Sequence, residues 1–128
     1  REGVKLVADL QSNVKLTGLP DRIAQVVINL VENAISFSKP NGEVYVELKK
    51  SWRRGISISV SDTGPGVPDD LQDKIFDRFF SARSGAAEKP NSSGLGLYIC
   101  KQVIEAHGGS IKHANGSQLP GATFTIRF

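Results

Sequence analysis

Two asparagines, Asn29 and Asn33, lie four residues apart inside a segment with helical periodicity. Four residues make about one helical turn, so both carboxamides are expected on one face of that helix. Asparagine is unfavourable in a helix interior, because its side chain competes for backbone hydrogen bonds. The pair therefore predicts either a hydrogen bond to a neighbouring loop or a carboxamide oxygen offered to Mg²⁺, which prefers hard oxygen ligands.

A carboxylate followed by two glycines forms a second candidate. Asp62 ends a predicted buried strand and begins a turn that contains Gly64 and Gly66. A carboxylate in this position can accept a hydrogen bond from an exocyclic amine, and the glycines let the backbone approach a flat ligand closely. An ordinary Asp-containing turn has the same composition, so this motif alone leaves both interpretations open.

A third candidate is Gly94-Leu95-Gly96-Leu97, which follows a segment poor in apolar residues and opens a predicted helix. Backbone N–H groups at a helix start attract phosphate, and glycine permits close approach. The alternative is a helix start with incidental glycines. No Gly-Lys-Ser/Thr follows, so the segment is not a Walker P-loop.

Three helices are predicted to position these motifs. The first runs from Asp21, as its N-cap, to about Ser38, because its apolar residues recur at three- and four-residue steps. A short second helix is predicted from a cap at Asp69 or Asp70 to Phe76. The third begins at the last glycine motif and ends at a pair of glycines. Its apolar face consists of Leu97, Cys100, Val103 and Ile104.

Alternation of apolar and polar residues predicts the strands. The segments with this pattern are 4–10, 14–16, 44–48, 56–61, 110–114 and 122–128. Together with the helices they predict an α+β two-layer sandwich, in which a mixed, mainly antiparallel sheet of about five strands is covered by about three helices. The long stretch over residues 81–93 predicts a functional or mobile loop.

Composition narrows the possible classes of function. The chain has 128 residues, of which 39% are hydrophobic, and this fits one domain over residues 1–128. No apolar stretch reaches the roughly 18 residues that span a bilayer. Cys100 is the single cysteine, and His107 and His113 are the only histidines, which argues against a disulfide framework or a zinc site.

The charge pattern argues against a nucleic-acid partner. The net charge is only +3, from 16 basic and 13 acidic residues. The densest basic cluster, Lys49, Lys50, Arg53 and Arg54, fits a solvated hairpin end better than a binding stripe. The chain begins with Arg1 and contains no methionine, so we expect a piece of a longer protein.

Taken in order over about residues 4–128, these motifs resemble the ATP-binding catalytic domain of sensor histidine kinases. This domain belongs to the wider family that includes DNA gyrase B, Hsp90 and the MutL proteins. The matching segments are an N box at Asn29–Ala34, a G1 box at Asp62–Gly66, an F box at Phe76–Phe80, a G2 box at Gly94–Leu97 and a closing glycine motif at Gly121–Phe124.

The resemblance implies a role for each candidate. Asn33 would coordinate the Mg²⁺ that bridges the ATP phosphates, and Asn29 would face the phosphates or support the waters of the metal. Asp62 would bind the adenine amino group, with Gly64 and Gly66 lining the base pocket.

The G2 box, Gly94, Leu95, Gly96 and Leu97, would present backbone N–H groups to the phosphates. Residues 67–93 would contain the F box and a flexible ATP lid. Phe76, Phe79 and Phe80 would anchor that lid or press on a partner domain, and plain core packing is the alternative.

One position favours the kinase branch. The gyrase and Hsp90 ATPases carry a water-activating glutamate four residues before the metal-binding asparagine, and here that position is Asn29. Glu32 is one residue from Asn33 and therefore about 100° away around the helix. Serine-kinase anti-sigma factors are the closest enzymatic alternative.

This chain departs from the kinase pattern at Ser36, where histidine kinases often carry Lys or Arg against phosphate. The metal and other cations must then stabilise the charge of the transferring phosphoryl group. The candidates are Arg78, Arg83, Lys89 and Lys101.

The resemblance implies a histidine autokinase of a two-component system, which transfers the γ-phosphate of ATP to a histidine. Neither His107 nor His113 fits that acceptor, so we expect it upstream of Arg1, on a helical dimerisation domain. A response regulator would be the second partner, with no nucleic acid and no direct membrane contact. The expected location is the cytoplasm, with a membrane-anchored parent protein. A non-catalytic nucleotide-binding or protein-interaction module is the alternative from another class.

Overall fold

The computed structural model describes residues 3–10, 20–51, 55–77, 96–116 and 119–128. Five strands, β1 to β5, span Lys5–Leu10, Glu43–Ser51, Gly55–Asp62, Ser110–Asn115 and Ala122–Arg127. Two α-helices, α1 and α2, span Pro20–Phe37 and Gly96–Ala106, and a 3₁₀ turn, Asp69–Leu71, lies between β3 and α2. Within these ranges, neither α1 nor α2 combines the length and hydropathy that a bilayer span requires.

The strands form one sheet in the order β1-β2-β3-β5-β4. Strand β1 runs parallel to β2, and the other neighbouring pairs are antiparallel. This arrangement confirms the predicted mixed, mainly antiparallel sheet of five strands in an α+β sandwich. The strand predicted at 14–16 lies outside the described residues.

The sheet register aligns apolar residues of neighbouring strands into rows that face the helices. Val60 on β3 opposes Val46 on β2 and Phe124 on β5, and Phe124 in turn opposes His113 on β4. Because side chains alternate between the two faces of a strand, these residues share one face. That face, together with α1 and α2, encloses the hydrophobic core.

The core side of α1 confirms the predicted apolar stripe. Ile23, Val26, Leu30 and Ala34 are all buried, at the spacing of one helical face. The helix begins at Pro20 instead of after a cap at Asp21, which lies in its first turn. Proline suits the first helical position because its missing N–H has no partner there in any case.

The end of α2 also follows the prediction. The N–H of Gly109 donates to the Ile104 carbonyl at 2.9 Å, and that of Gly108 donates to the Glu105 carbonyl at 3.0 Å. Gly108 has a φ of +80°, which glycine adopts without strain. These are the two hydrogen bonds of a Schellman motif, so the glycine pair terminates the helix.

The helix predicted from Asp69 or Asp70 to Phe76 is wrong. The structure has a 3₁₀ turn of three residues, preceded by Pro68, with no side-chain cap. The hydrogen bonds of this segment join residues three apart, as from Lys74 N–H to the Leu71 carbonyl at 2.9 Å. The Asp69 carboxylate accepts from Gln72 Nε2 at 3.1 Å instead of capping. The described residues therefore contain two α-helices and one 3₁₀ turn, not three helices.

Candidate functional site

The Asp62 carboxylate lies at the end of β3 and is only 4% exposed. Its Oδ1 accepts two backbone hydrogen bonds, from Gly64 N–H at 2.8 Å and from Ala122 N–H at 3.1 Å. Both bonds end on Oδ1, so they fix the orientation of the carboxylate, and neither of these two donors bonds to Oδ2. A fixed, charged acceptor at a strand end is suited to a ligand donor such as an exocyclic amine.

Burial raises the pKa of Asp62 above its ordinary value, because the ionised form loses hydration. The hydrogen bonds from Gly64 and Ala122, and then the charge of His113, oppose this rise. Burial outweighs these opposing effects, so the charged carboxylate is left incompletely compensated. A ligand N–H group bonded to Oδ2 would supply part of the missing compensation.

Two glycines allow the backbone to close around Asp62. A Cβ on Gly64 would contact the carbonyl oxygen of Phe37 and would lie 3.1 Å from Asp62 Oδ1. A Cβ on Gly121 would contact Asp62 Oδ1, with the Gly64 nitrogen at 2.7 Å. Gly121 therefore belongs to this site. The sequence indicated it only as part of a closing motif, since nothing local to residue 121 refers to residue 62.

Asn29 and Asn33 are both half-buried on α1, whereas Glu32 is exposed. Asn29 Oδ1 accepts from Gln25 Nε2 at 3.0 Å, and its Nδ2 lies 4.0 Å from Cys100 Sγ on α2. The Asn29 side chain therefore bonds within α1 and to helix α2, and neither of these partners is the neighbouring loop that the first predicted use named. Within the part of the chain that the structure describes, Asn33 has no such side-chain partner.

The thiol of Cys100 is fully buried, and burial raises its pKa. It packs in the core that α1 and α2 share, as the sequence predicted. Its contact with Asn29 links the two helices near the site.

The polar face of α1 leads directly to the Asp62 turn. Asn29, Asn33 and Phe37 follow one another at four-residue intervals, and the Phe37 carbonyl oxygen lies against the position that a Cβ on Gly64 would occupy. At 1.5 Å per residue, this line is about 12 Å long. One end lies near α2 through the Asn29–Cys100 contact, and the other lies against the Asp62 turn. The structure thus places the C-terminal end of the helix that carries the N box against the G1 box.

The G2 box is described in part. Gly96 and Leu97 form the first residues of α2, with Gly96 exposed. A Cβ on Gly96 would meet no atom within 4 Å, so crowding within the described residues does not require glycine there. Gly94 and Leu95 lie outside the described residues.

The F box and the candidate cations are also described in part. The Phe76 ring packs edge-on against Phe124, with the ring centroids 6.1 Å apart, and it joins the core. Lys101 Nζ lies 5.7 Å from the centre of the same ring. Phe79, Phe80, Arg78, Arg83 and Lys89 lie outside the described residues.

The residues present fit a magnesium ion that shares its ligands with a nucleotide. No cluster of three His, Cys, Asp or Glu side chains that could hold a metal occurs among the described residues. Asn33 offers one hard oxygen from a helix face beside the Asp62 turn. Magnesium is usually bound by one or two protein oxygens, with substrate phosphates and waters completing the shell.

Two residues of β4 were missed as part of the site. Asn115 hydrogen-bonds to both backbone polar groups of Val67, and His113 Nε2 lies 2.9 Å from Asn115 Oδ1. The sequence predicted only a strand here. The pairing of β4 with β5 brings Asn115 beside residues about 50 positions earlier, and no local pattern encodes that proximity.

Both the sequence and the fold are similar to those of known proteins. Residues 18–128 match the family model described as "Histidine kinase-, DNA gyrase B-, and HSP90-like ATPase". The chain is 35% identical over 126 residues to the circadian input-output histidine kinase CikA of Synechococcus elongatus, covering 96% of this chain and 16% of that protein. It is 39% identical over 132 residues to the sensor protein ChvG of Agrobacterium fabrum, covering 96% of this chain and 22% of ChvG.

Solved structures show the same likeness. The mycobacterial sensor histidine kinase MprB superposes with a TM-score of 0.82 at 29% identity, covering 98% of this chain and 81% of that structure. The catalytic domain of histidine kinase ThkA gives a TM-score of 0.83 at 30% identity, with coverages of 98% and 80%.

Proposed function

Since the chain belongs to the family of histidine kinase-, DNA gyrase B- and HSP90-like ATPases, and its relatives are sensor histidine kinases, we propose that it binds Mg-ATP and donates the γ-phosphate to a histidine on an adjoining helical domain. The observation that carries this proposal is the buried Asp62 carboxylate, held by two backbone N–H groups on one oxygen.

Asp62 Oδ2 would accept a hydrogen bond from the 6-amino group of adenine. Guanine and hypoxanthine carry a carbonyl at that position, so an ionised carboxylate discriminates against both. Gly64 and Gly66 allow a flat base to approach the backbone of the turn closely. These two features select adenine over other purines.

Along α1, Asn33 would hold the magnesium ion together with oxygens of the ATP phosphates. When bound, the metal neutralises charge that builds up on the phosphates during transfer. The backbone N–H groups of Gly94, Leu95, Gly96 and Leu97 would bind the phosphates at the start of α2. Asn29 would support this end of the site through its contacts with Gln25 and Cys100.

The same helix face disfavours hydrolysis. Asn29 stands where related ATPases have a water-activating glutamate, and the exposed Glu32 lies about 100° away from Asn33 around the helix. The position four residues before Asn33 on α1 therefore carries an amide, which is not a base toward water, and the γ-phosphate would be retained for an incoming nucleophile. The acceptor histidine would come from the adjoining domain.

The partners follow from the relatives. The chain spans 16% and 22% of the lengths of CikA and ChvG, so the rest of such a protein would supply the dimerisation domain and its histidine. One related structure is described as histidine kinase ThkA in complex with the response regulator protein TrrA. By analogy, a response regulator would receive the phosphate. The cytoplasm is the proposed compartment, since ATP and response regulators are found there.

A transfer assay tests this function. ATP labelled in its γ-phosphate is added with Mg²⁺ to this chain together with the dimerisation domain of its parent protein. Acid-labile label is expected on the added domain and not on this chain. The Asp62→Asn variant, and an acceptor domain without its histidine, serve as controls. Bound ATP without any transfer would instead support a non-catalytic nucleotide-binding module.

A further inference from the structure

We propose that Asn115 is a positioning residue, which holds the loop between Asp62 and Val67 in the conformation that accepts the adenine base. The inference deepens the proposed function and rests on it. We refer to residues 62–67 as the base loop. Its two ends are held by different strands, and Asn115 supplies the second attachment.

The contact with Val67 is made at two points. Val67 N–H donates to Asn115 Oδ1 at 3.0 Å, and Asn115 Nδ2 donates to the Val67 carbonyl at 2.8 Å. One carboxamide thereby pairs with both polar backbone groups of one residue, as a neighbouring strand would. A side chain bound in this way fixes the position and the rotation of the Val67 peptide groups.

The backbone of the base loop passes directly against this carboxamide. Gly66 has a φ of +76°, which favours glycine. A Cβ at this position would lie 2.9 Å from Asn115 Oδ1 and 3.0 Å from its Cγ. Gly66, one of the two residues predicted to line the base pocket, therefore packs so closely against Asn115 that a side chain there would clash.

The sheet places Asn115 and Asp62 in one row. Asn115 on β4 opposes Ala122 on β5, and the N–H of Ala122 donates to Asp62 Oδ1 at 3.1 Å. Ala122 on β5 therefore holds Asp62, the first residue of the base loop, and Asn115 on β4 holds Val67, the last. The residues between these two points are those that would contact a base.

His113 orients the carboxamide. Its Nε2 lies 2.9 Å from Asn115 Oδ1, and its ring packs on Phe124 with the centroids 5.3 Å apart. A hydrogen on Nε2 lets His113 donate to the same oxygen that accepts from Val67. This bond favours the carboxamide orientation in which Nδ2 points to the Val67 carbonyl.

The Asn115 side chain is exposed, so these bonds are not required to satisfy a buried group. Its removal should leave the core intact and release the base loop. This separates a positioning role from a general structural one, because only the former alters ligand binding in a folded protein.

The test compares Asn115→Ala with Lys112→Ala, which removes another exposed side chain from the same strand. Calorimetry measures the affinities for adenosine, ADP and Mg-ATP, and unfolding in urea checks the fold. For Asn115→Ala we expect about tenfold weaker binding of all three ligands, since the change acts at the base they share. Lys112→Ala should bind as the wild type does.

A second readout is the hydrogen exchange of backbone amides. Exchange at Val67 should accelerate in Asn115→Ala, while exchange at Phe124 in the sheet stays unchanged. If Asn115→Ala fails to fold, Asn115→Asp retains the acceptor for Val67 N–H but places a second acceptor oxygen against the Val67 carbonyl. That variant should also bind all three ligands more weakly than the wild type and show the same faster exchange at Val67.

A folded Asn115→Ala that binds all three ligands within twofold of the wild type would overturn the inference. So would a loss confined to Mg-ATP with adenosine unaffected, because the effect would then lie at the phosphates. If the wild type binds no nucleotide, the proposed function fails and the positioning role fails with it. If the wild type binds nucleotide and Asn115→Ala does not lose affinity, only this inference fails.

Discussion

Replacing Asp62 with asparagine changes one hydrogen-bonding atom of the base site and leaves the side-chain shape almost unchanged. The asparagine Oδ1 can still accept from the N–H groups of Gly64 and Ala122, which in the wild type donate to Asp62 at 2.8 and 3.1 Å. Those two bonds place Nδ2 where the carboxylate has Oδ2. An amide nitrogen donates hydrogen bonds, so it would meet the 6-amino group of adenine donor to donor.

The size of the effect follows from the bond that is lost. A hydrogen bond to a charged group contributes about 1.5–3 kcal/mol, and about 1.4 kcal/mol corresponds to a tenfold change in affinity. Asp62→Asn should therefore bind ATP about 10- to 150-fold more weakly than the wild type. Inosine triphosphate has a carbonyl oxygen in place of the amine, so its affinity should rise in the variant.

The free protein should not be destabilised by this change at pH 7. Burial of the ionised carboxylate raises the pKa of Asp62, which means that its charge opposes folding above that pKa. A neutral amide removes that cost. The free energy of unfolding of Asp62→Asn should therefore equal or exceed that of the wild type in urea titrations.

Calorimetric titration of ATP and inosine triphosphate into both proteins measures the prediction. Asp73→Asn is the matched control, because it removes the same charge from an exposed side chain. A folded Asp62→Asn that binds ATP within twofold of the wild type would refute the argument that Oδ2 accepts a hydrogen bond from the adenine amino group. Weak binding of ATP without any gain for inosine triphosphate would refute the proposed carboxamide orientation.

Three further predictions concern the rest of the site and its response to pH. Gly121→Ala places a methyl group against Asp62, so we expect a loss of about 1–3 kcal/mol in the free energy of unfolding, measured in urea, and weaker nucleotide binding. Asn33→Ala should weaken Mg-ATP binding at least about tenfold while adenosine binds unchanged; equal losses for both, seen by calorimetry, would contradict its role at the metal. Burial lowers the pKa of His113 below its ordinary 6.5. As the pH falls, this histidine is therefore protonated in the unfolded chain before it is protonated in the native protein. The stability present above pH 6.5 is lost as the pH falls through the lower native pKa. Urea titrations from pH 7.5 downward should show this loss in the free energy of unfolding. In His113→Gln the free energy of unfolding should depend less on pH, and an unchanged pH dependence in the variant would assign the loss to other groups.

Hydrophobic periodicity in the sequence predicted the helices and strands whose burial follows that periodicity. The stripe from Ile23 to Ala34 gave α1 to within a residue or two of its ends, because the burial of that face follows the helical period. Alternation located the described strands for the same reason. The parallel pairing of β1 with β2 was not foreseen, since alternation carries no information about which strand lies beside which.

The failures have physical causes as well. The segment from Asp69 to Phe76 offered acidic residues for a cap, but Asp69 bonds to Gln72 and the backbone forms three-residue turns. At the proposed site, the sequence indicated Asp62, Gly64 and Gly66 because their types alone suggest chemistry. Gly121 and Asn115 act on residues at least 48 positions away, through strand pairing, so the sequence around each of them does not report its partner.

A calorimetric titration of ATP into the wild-type chain, with and without Mg²⁺, tests the proposed nucleotide site most directly. We expect saturable binding of one nucleotide per chain, tighter with the metal than without it. Such a result would show one nucleotide site that a metal strengthens, as proposed for the Asp62 turn and the Asn33 face. No binding at millimolar ATP by a folded chain would contradict the proposed kinase function.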